Sequence, residues 1–408
     1  MHSETRPSAV RRTSSPTPSP PLPDIIMSRA LRLATAAVLA TIAVATLPPT
    51  LGAQDSGESH SGPRARKVIS IGNYPRVDGI RINYRDREVD LVRGANITIW
   101  TPYNDFSGGL MQGVALGLPI TMAGELQGIG LGIFGAGAES DARGIVVGGI
   151  GAGVGGNLRG IALGGIGVGA GGDVRGIAAG GIGVGSGGDL RGIAFGGVGA
   201  GVGGSVRGAA AGGIGVGVGG NLRGIAAGGI GVGVGGDMRG LMAGGIGVGA
   251  GGSARGILIG GVGVGVGSQI RGITVSGLAA GAGDGITGIT VAGLAVGSGG
   301  SLNGITVAGL GVGAPRIRGA AAALMVGAAS TRGIVFAPAL FRTERGGRMT
   351  GASISSVNAI RGSQRGLTIG LVNYAERLNG VQLGAININR DARAPFKVLP
   401  FINVGRSR

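Results

Sequence analysis

One step, Arg followed by Gly followed by an apolar residue, recurs in this chain at a fixed interval. Its glycines fall at 144, 160, 176, 192, 208, 224, 240, 256 and 272, sixteen residues apart each time. The same column continues through Gly288 and Gly304, reaches back to Gly128 and Gly113, and runs on less evenly through Gly319, Gly333, Gly351, Gly366 and Gly380, which makes 18 repeats. A period this short and this strict means a stacked array in which each unit is completed by its neighbours.

The unit itself limits the backbone. Glycine supplies 97 of the 408 residues, which could mean collagen or disorder. Collagen needs Gly at every third position, and the spacing here is mostly two. Disorder needs low hydrophobicity, whereas 43% of residues are apolar and the mean hydropathy is +0.40. In the unit Arg159–Val174, apolar residues sit at Ile161 and Leu163, then at Ile166, Val168 and Ala170, then at Val174. Within each group the spacing is two, the period of a strand. The slips between groups fall at Gly164-Gly165 and at Gly171-Gly172-Asp173, where turns are expected.

Two short strands and two turns per unit predict an all-β chain: a β-solenoid of about 16 residues per coil with amino- and carboxy-terminal β caps. The alternative is a β-barrel or a membrane-embedded β-sheet. Barrel strands need roughly 9–11 residues and aromatic girdles. The segments here are shorter, and residues 110–332 hold only Phe134 and Phe195. In the solenoid reading small apolar residues (Ile, Val, Ala) line the interior. Alternating Gly leaves the outer face of the second strand bare, flat enough to meet a second sheet, a sugar ring, a crystalline surface or a lipid layer. Eighteen coils at roughly 4.8 Å make a stack about 85 Å long.

Composition divides the rest of the chain. Residues 1–26 are rich in Pro, Ser and Thr and read as disordered, or as an extension from a misassigned start. Residues 27–53 carry the pattern of a signal peptide: basic Arg29 and Arg32, an apolar run over 33–47, then Pro48-Pro49 and small residues, with cleavage expected after Ala53. Residues 54–67 are a polar linker. The amino-terminal cap is expected over 68–109, the Gly-rich array over 110–332, and degenerate repeats with the carboxy-terminal cap over 333–408, where Pro338, Pro395 and Pro400 interrupt pairing.

The net charge is +17, and 34 of the 36 basic residues are Arg. The residue before the glycine of the repeat is Arg nine times running: Arg143, Arg159, Arg175, Arg191, Arg207, Arg223, Arg239, Arg255 and Arg271. In a solenoid these form one ladder. Like charges roughly 5 Å apart repel by about 1 kcal/mol per neighbour in water, so something must offset them. Two residues earlier lie Asp141, Asn157, Asp173, Asp189, Asn221 and Asp237, a column able to neutralise part of the charge. The ladder is the candidate binding site, for anionic polysaccharide or lipopolysaccharide. The competing reading is a solvated turn ladder that keeps an apolar array soluble. Nucleic acid fits poorly, because no aromatics are interleaved for stacking. Membrane association and self-association stay open.

Other chemistry is thin. With no Cys, and only His2 and His60, thiol catalysis, disulfides and Cys-based zinc sites are excluded. Gly-x-Gly-x-x-Gly matches follow from Gly abundance alone, and the period is wrong for a calcium-binding nonapeptide repeat. The acids of the array, Glu125, Glu139, Asp141, Asp173, Asp189, Asp237 and Asp284, lie in no irregular insertion. A short column of Thr274, Thr290 and Thr306 is too small for an ice-binding array. No enzyme activity, catalytic residue, metal or cofactor is expected.

At the carboxy end, Gly366-Leu-Thr-Ile-Gly-Leu-Val-Asn-Tyr374 and Leu378-Asn-Gly-Val-Gln-Leu-Gly-Ala-Ile-Asn-Ile388 resemble the unit Gly-Leu-x-Ile-Gly-Leu-x-Asn of leptospiral-type surface-repeat proteins, a largely uncharacterised bacterial family. The resemblance is clearest over residues 360–405 and implies an exported, surface-associated protein. It brings no catalytic residues. The expectation is an exported structural or adhesive repeat protein in the periplasm, at the outer membrane or on the cell surface. An outer-membrane-embedded β protein and a polysaccharide-active enzyme are the alternatives.

Overall fold

The computed structural model describes residues 68–102 and 108–406. The segments 1–26, 27–53 and 54–67 lie outside the described residues, and with them the signal-peptide and linker expectations. The described chain is all-β, a solenoid of roughly 19 turns. Each turn pairs in parallel with the next at an offset of one repeat: Leu158 lies against Val174, Arg159 against Arg175, Gly160 against Gly176. This parallel stacking replaces the barrel alternative, whose neighbouring strands run up and down. Among the described residues one pairing is antiparallel. The terminal strand Val398–Gly405 folds back along the edge of Val372–Asn389 and closes the stack there.

Each regular coil has two strands, such as Leu158–Gly164 and Gly167–Ala170, with turns at the expected glycines. The glycine of the repeat adopts a backbone conformation that side chains reject, with φ near +135° at Gly160 and +139° at Gly192. A Cβ on Gly160 would lie 2.0 Å from the carbonyl oxygen of Gly144, the same glycine one coil earlier. So each copy of this glycine makes room for the backbone of its predecessor, and the column repeats because the stack does. Twenty such glycines line up, beginning at Gly79 and Gly94 and ending at Gly380. The amino-terminal cap is thus itself built of coils.

The interior differs from expectation in which residues fill it. Leu158, Ala162, Val168 and Ala170 point inward, as do their equivalents along the stack. Ile161 is only half-buried, and Leu163 and Ile166 are exposed. The reason is parity. Arg159 must face water, and along one strand residues 161 and 163 share its side of the sheet. In several coils one large inward residue is matched by a small one: Leu158, Leu190 and Leu222 face Ala162, Ala194 and Ala226, and Ala254 is matched by Leu258, whereas one coil buries both Met238 and Met242.

At both ends the interior takes in polar side chains, many of them hydrogen-bonded to one another. In the first coils Arg81 and Asp86 are fully buried. The Arg81 guanidinium donates to Asp86 (2.5 Å), Asn96 (3.1 Å) and Asn73 (2.9 Å). Asp86 also accepts from Asn83, Asn96 and Thr98. Burial pulls the Arg81 pKa below its ordinary value, and Asp86 opposes that shift. Toward the carboxy end Asn358 donates to Asn373 and Asn373 to Asn387, each at 2.8 Å, inside the coil. The Asn of the surface-repeat-like unit is therefore a rung of a buried amide ladder.

Candidate functional site

The nine Arg of the ladder are exposed and stand in register from Arg143 to Arg271. The structure extends the column. Arg93 precedes it, with Gln112 and Gln127 between, and Arg318 and Arg332 follow beyond Thr287 and Asn303. Arg365 occupies the same position before Gly366. Sequence reasoning followed the glycine column to Gly319, Gly333 and Gly366 but took the Arg ladder only over the nine consecutive copies, and so left these four out. The dipeptide Arg-Gly at each was the available signal.

The ladder is barely compensated. Among its nine members Arg175 lies 3.8 Å from Asp173, and Arg271 donates to the Gln269 side chain at 2.8 Å. The Asp and Asn column two residues earlier has a different first task. Each side-chain oxygen accepts the backbone N–H of its equivalent one coil on: Asp141 from Asn157, Asn157 from Asp173, Asp173 from Asp189, Asp189 from Ser205, at 2.7–2.9 Å. Ser205, Asn221 and Asp237 continue it to Ser253. The backbone N–H of Asn157 holds the Asp141 carboxyl below its usual range, helped by the Asn157 side chain and by Arg159 and Arg143. Between two such coils Asn157, Arg159, Asp173 and Arg175 frame a polar notch of about 130 Å³.

Beside the Arg column, on the same side of the sheet, run apolar ladders facing water. Ile145, Ile177, Ile193, Ile225, Leu241, Ile257, Ile273, Ile289 and Ile305 form one; Leu163, Phe195, Ile259, Val275, Val291 and Val307 belong to the next. A third runs along the following corner from Ile150 through Ile230, which is 50% exposed, to Leu324. Where Phe195 stands proud of Ala179, a shallow apolar groove of about 460 Å³ opens toward Leu163. The second strand presents the opposite character: its outward positions Gly153, Gly169, Gly185, Gly201, Gly217 and Gly233 form a bare wall, as expected. Thr274, Thr290 and Thr306 point into the core, so they offer no surface array. Among the described residues no three of Asp, Glu, His or Cys gather to hold a metal ion.

Chemically, a row of exposed guanidiniums at coil spacing presents a line of cationic hydrogen-bond donors to solvent, with apolar rows beside it. No protein-family model, curated protein or solved structure matches the chain.

Proposed function

We propose that this chain is an exported structural or adhesive repeat protein of the bacterial envelope, binding anionic glycan, an acidic polysaccharide or lipopolysaccharide, along its Arg ladder. The observation that carries this reading is the barely compensated column: nine exposed guanidiniums in register, one of them in an ion pair. A polyanion laid along the column relieves the repulsion between neighbours and gains a contact per coil, so weak individual pairs add up. Arg suits this better than Lys because its planar fork pairs with carboxylates and phosphates in two-pronged geometry. Export rests on the signal-like segment at 27–53 and on the resemblance of the carboxy-terminal repeats.

The test is titration of the full chain with a sulfated or uronic-acid polysaccharide at low and high salt. Binding is expected to weaken with salt. Changing Arg191, Arg207, Arg223 and Arg239 together to Gln is expected to weaken it at least about tenfold. Unchanged affinity in that variant would leave the ladder a solvated turn surface. Cell fractionation checks export, with recovery in the envelope or medium expected and recovery in the cytoplasm contradicting it.

A further inference from the structure

We infer that the face bearing the Arg and Ile ladders lies flat on an anionic lipid layer, its guanidiniums at the headgroups and its aliphatic rows against the acyl boundary. This rests on the reading of the Arg column as an anion receptor and narrows what carries the anions.

Three features of the face lead there. First, its apolar part is large. The rows from Ile145 to Ile305 and from Leu163 to Val307 span ten and nine coil intervals, the second with Ala179, Ala211, Ala227 and Ala243 among its members. At roughly 4.8 Å per coil and about 12 Å across two outward positions, that is on the order of 600 Å², the upper end of what a soluble monomer leaves in water. Second, these side chains are not needed by the core. The interior is closed by Leu158, Ala162, Val168, Ala170 and their equivalents, so the outward Ile is a choice at a position where a polar residue would fold as well. Third, the cations stand in one line beside the aliphatic rows rather than scattered among them. Cations flanking an apolar strip are the pattern of proteins that rest in the membrane interface, where each cation near an anionic surface adds attraction and the strip adds burial.

Charge decides among occupants. A second copy of this chain would bring the same column and the same surplus of +17 toward itself. The Asp residues beside the ladder are committed to backbone N–H groups and offer that copy little. A free polysaccharide would satisfy the Arg column and leave the aliphatic rows in water. An anionic lipid layer satisfies both. The groove between Leu163 and Phe195 is where a chain end would sit deepest.

The experiment uses the full chain with vesicles of neutral phosphatidylcholine, with and without about a third anionic phosphatidylglycerol. Because the chain has no Cys, an environment-sensitive dye can be placed singly at Ile225→Cys on the face or Gly185→Cys on the bare wall. Expected are partitioning onto anionic vesicles only, a blue shift at position 225 and none at 185. Arg191, Arg207, Arg223 and Arg239 changed to Gln should lower partitioning on the order of a hundredfold. Ile193, Ile225, Leu241 and Ile257 changed to Ser should lower vesicle binding by at least about tenfold while leaving polysaccharide binding intact. Circular dichroism checks that both variants keep their sheet. Polysaccharide binding without vesicle binding overturns this inference and leaves the proposed function standing; loss of both overturns both. A shift at 225 that grows with protein concentration in the absence of vesicles assigns the face to a second copy and also overturns it.

Discussion

Gly192 and Gly185 are the same residue under opposite constraints. At Gly192 the backbone sits at φ +139°, and a Cβ would meet the carbonyl oxygen of Gly176 at 2.0 Å. Gly192→Ala is therefore expected to destabilise its coil by about 2 kcal/mol or more. At Gly185 an added Cβ meets nothing within 4 Å, and Gly185→Ala is expected to be neutral or to stabilise by about 0.5 kcal/mol. Urea midpoints of the two variants check the contrast; equal losses would mean the glycine column is not a close approach of backbones. Asp141 gives a pH-dependent counterpart. Its carboxyl is held below the ordinary range by the Asn157 N–H. It therefore contributes stability above the unfolded carboxyl pKa of about 3.9, lost as pH falls through the lower folded value. The difference in urea midpoint between the native chain and Asp141→Asn is expected to be present at neutral pH and to shrink below about pH 4. A difference that grows on acidification contradicts the assignment.

Coils differ in what fills them, and so in how they fail. The first ones enclose Arg81 and Asp86, fully buried and hydrogen-bonded to Asn73, Asn83, Asn96 and Thr98. Asp86→Asn leaves a buried guanidinium without its counter-charge, expected to cost about 3 kcal/mol. Because coils contact only their neighbours, the damage should stay local. Hydrogen exchange is expected to speed up over residues 69–98 and stay unchanged past about residue 140; uniform acceleration would mean the array melts as one unit. The strand-and-turn division of the coil could be read from the sequence, because the turns fall on glycine pairs that interrupt a period of two. The inward face was harder to read. Ile161 and Ala162 are both apolar, so alternation alone does not say which of them is inside, and volume suggested the wrong one. Arg159 held the answer, since its parity marks 161 and 163 as outward. The buried ladder of Asn358, Asn373 and Asn387 left no such mark: its rungs are 15 and 14 residues apart, off the main period.

Over the whole described unit, one geometric fact turns sequence columns into surfaces. Sixteen residues along the chain correspond to one coil, roughly 4.8 Å along the stack, so Arg, Ile and Gly each become a line. The Arg line was visible in the sequence because the central repeats are identical in length. Its continuation through Arg93, Arg318, Arg332 and Arg365 is broken by Gln112 and Gln127 on one side and by Thr287 and Asn303 on the other, and only the pairing register joins the pieces. The neighbouring Ile lines were visible as letters but were assigned to the interior, so the oily border of the cationic ladder emerged only from the fold. Spin labels on cysteine pairs test the stacking directly. Arg159→Cys paired with Arg223→Cys spans four coils, and paired with Arg271→Cys spans seven. Pulsed electron spin resonance should give backbone-to-backbone separations of about 19 Å and about 34 Å respectively, in narrow distributions. Separations that do not grow in proportion to the number of repeats, or broad distributions for both pairs, would contradict the in-register stack and with it the ladder.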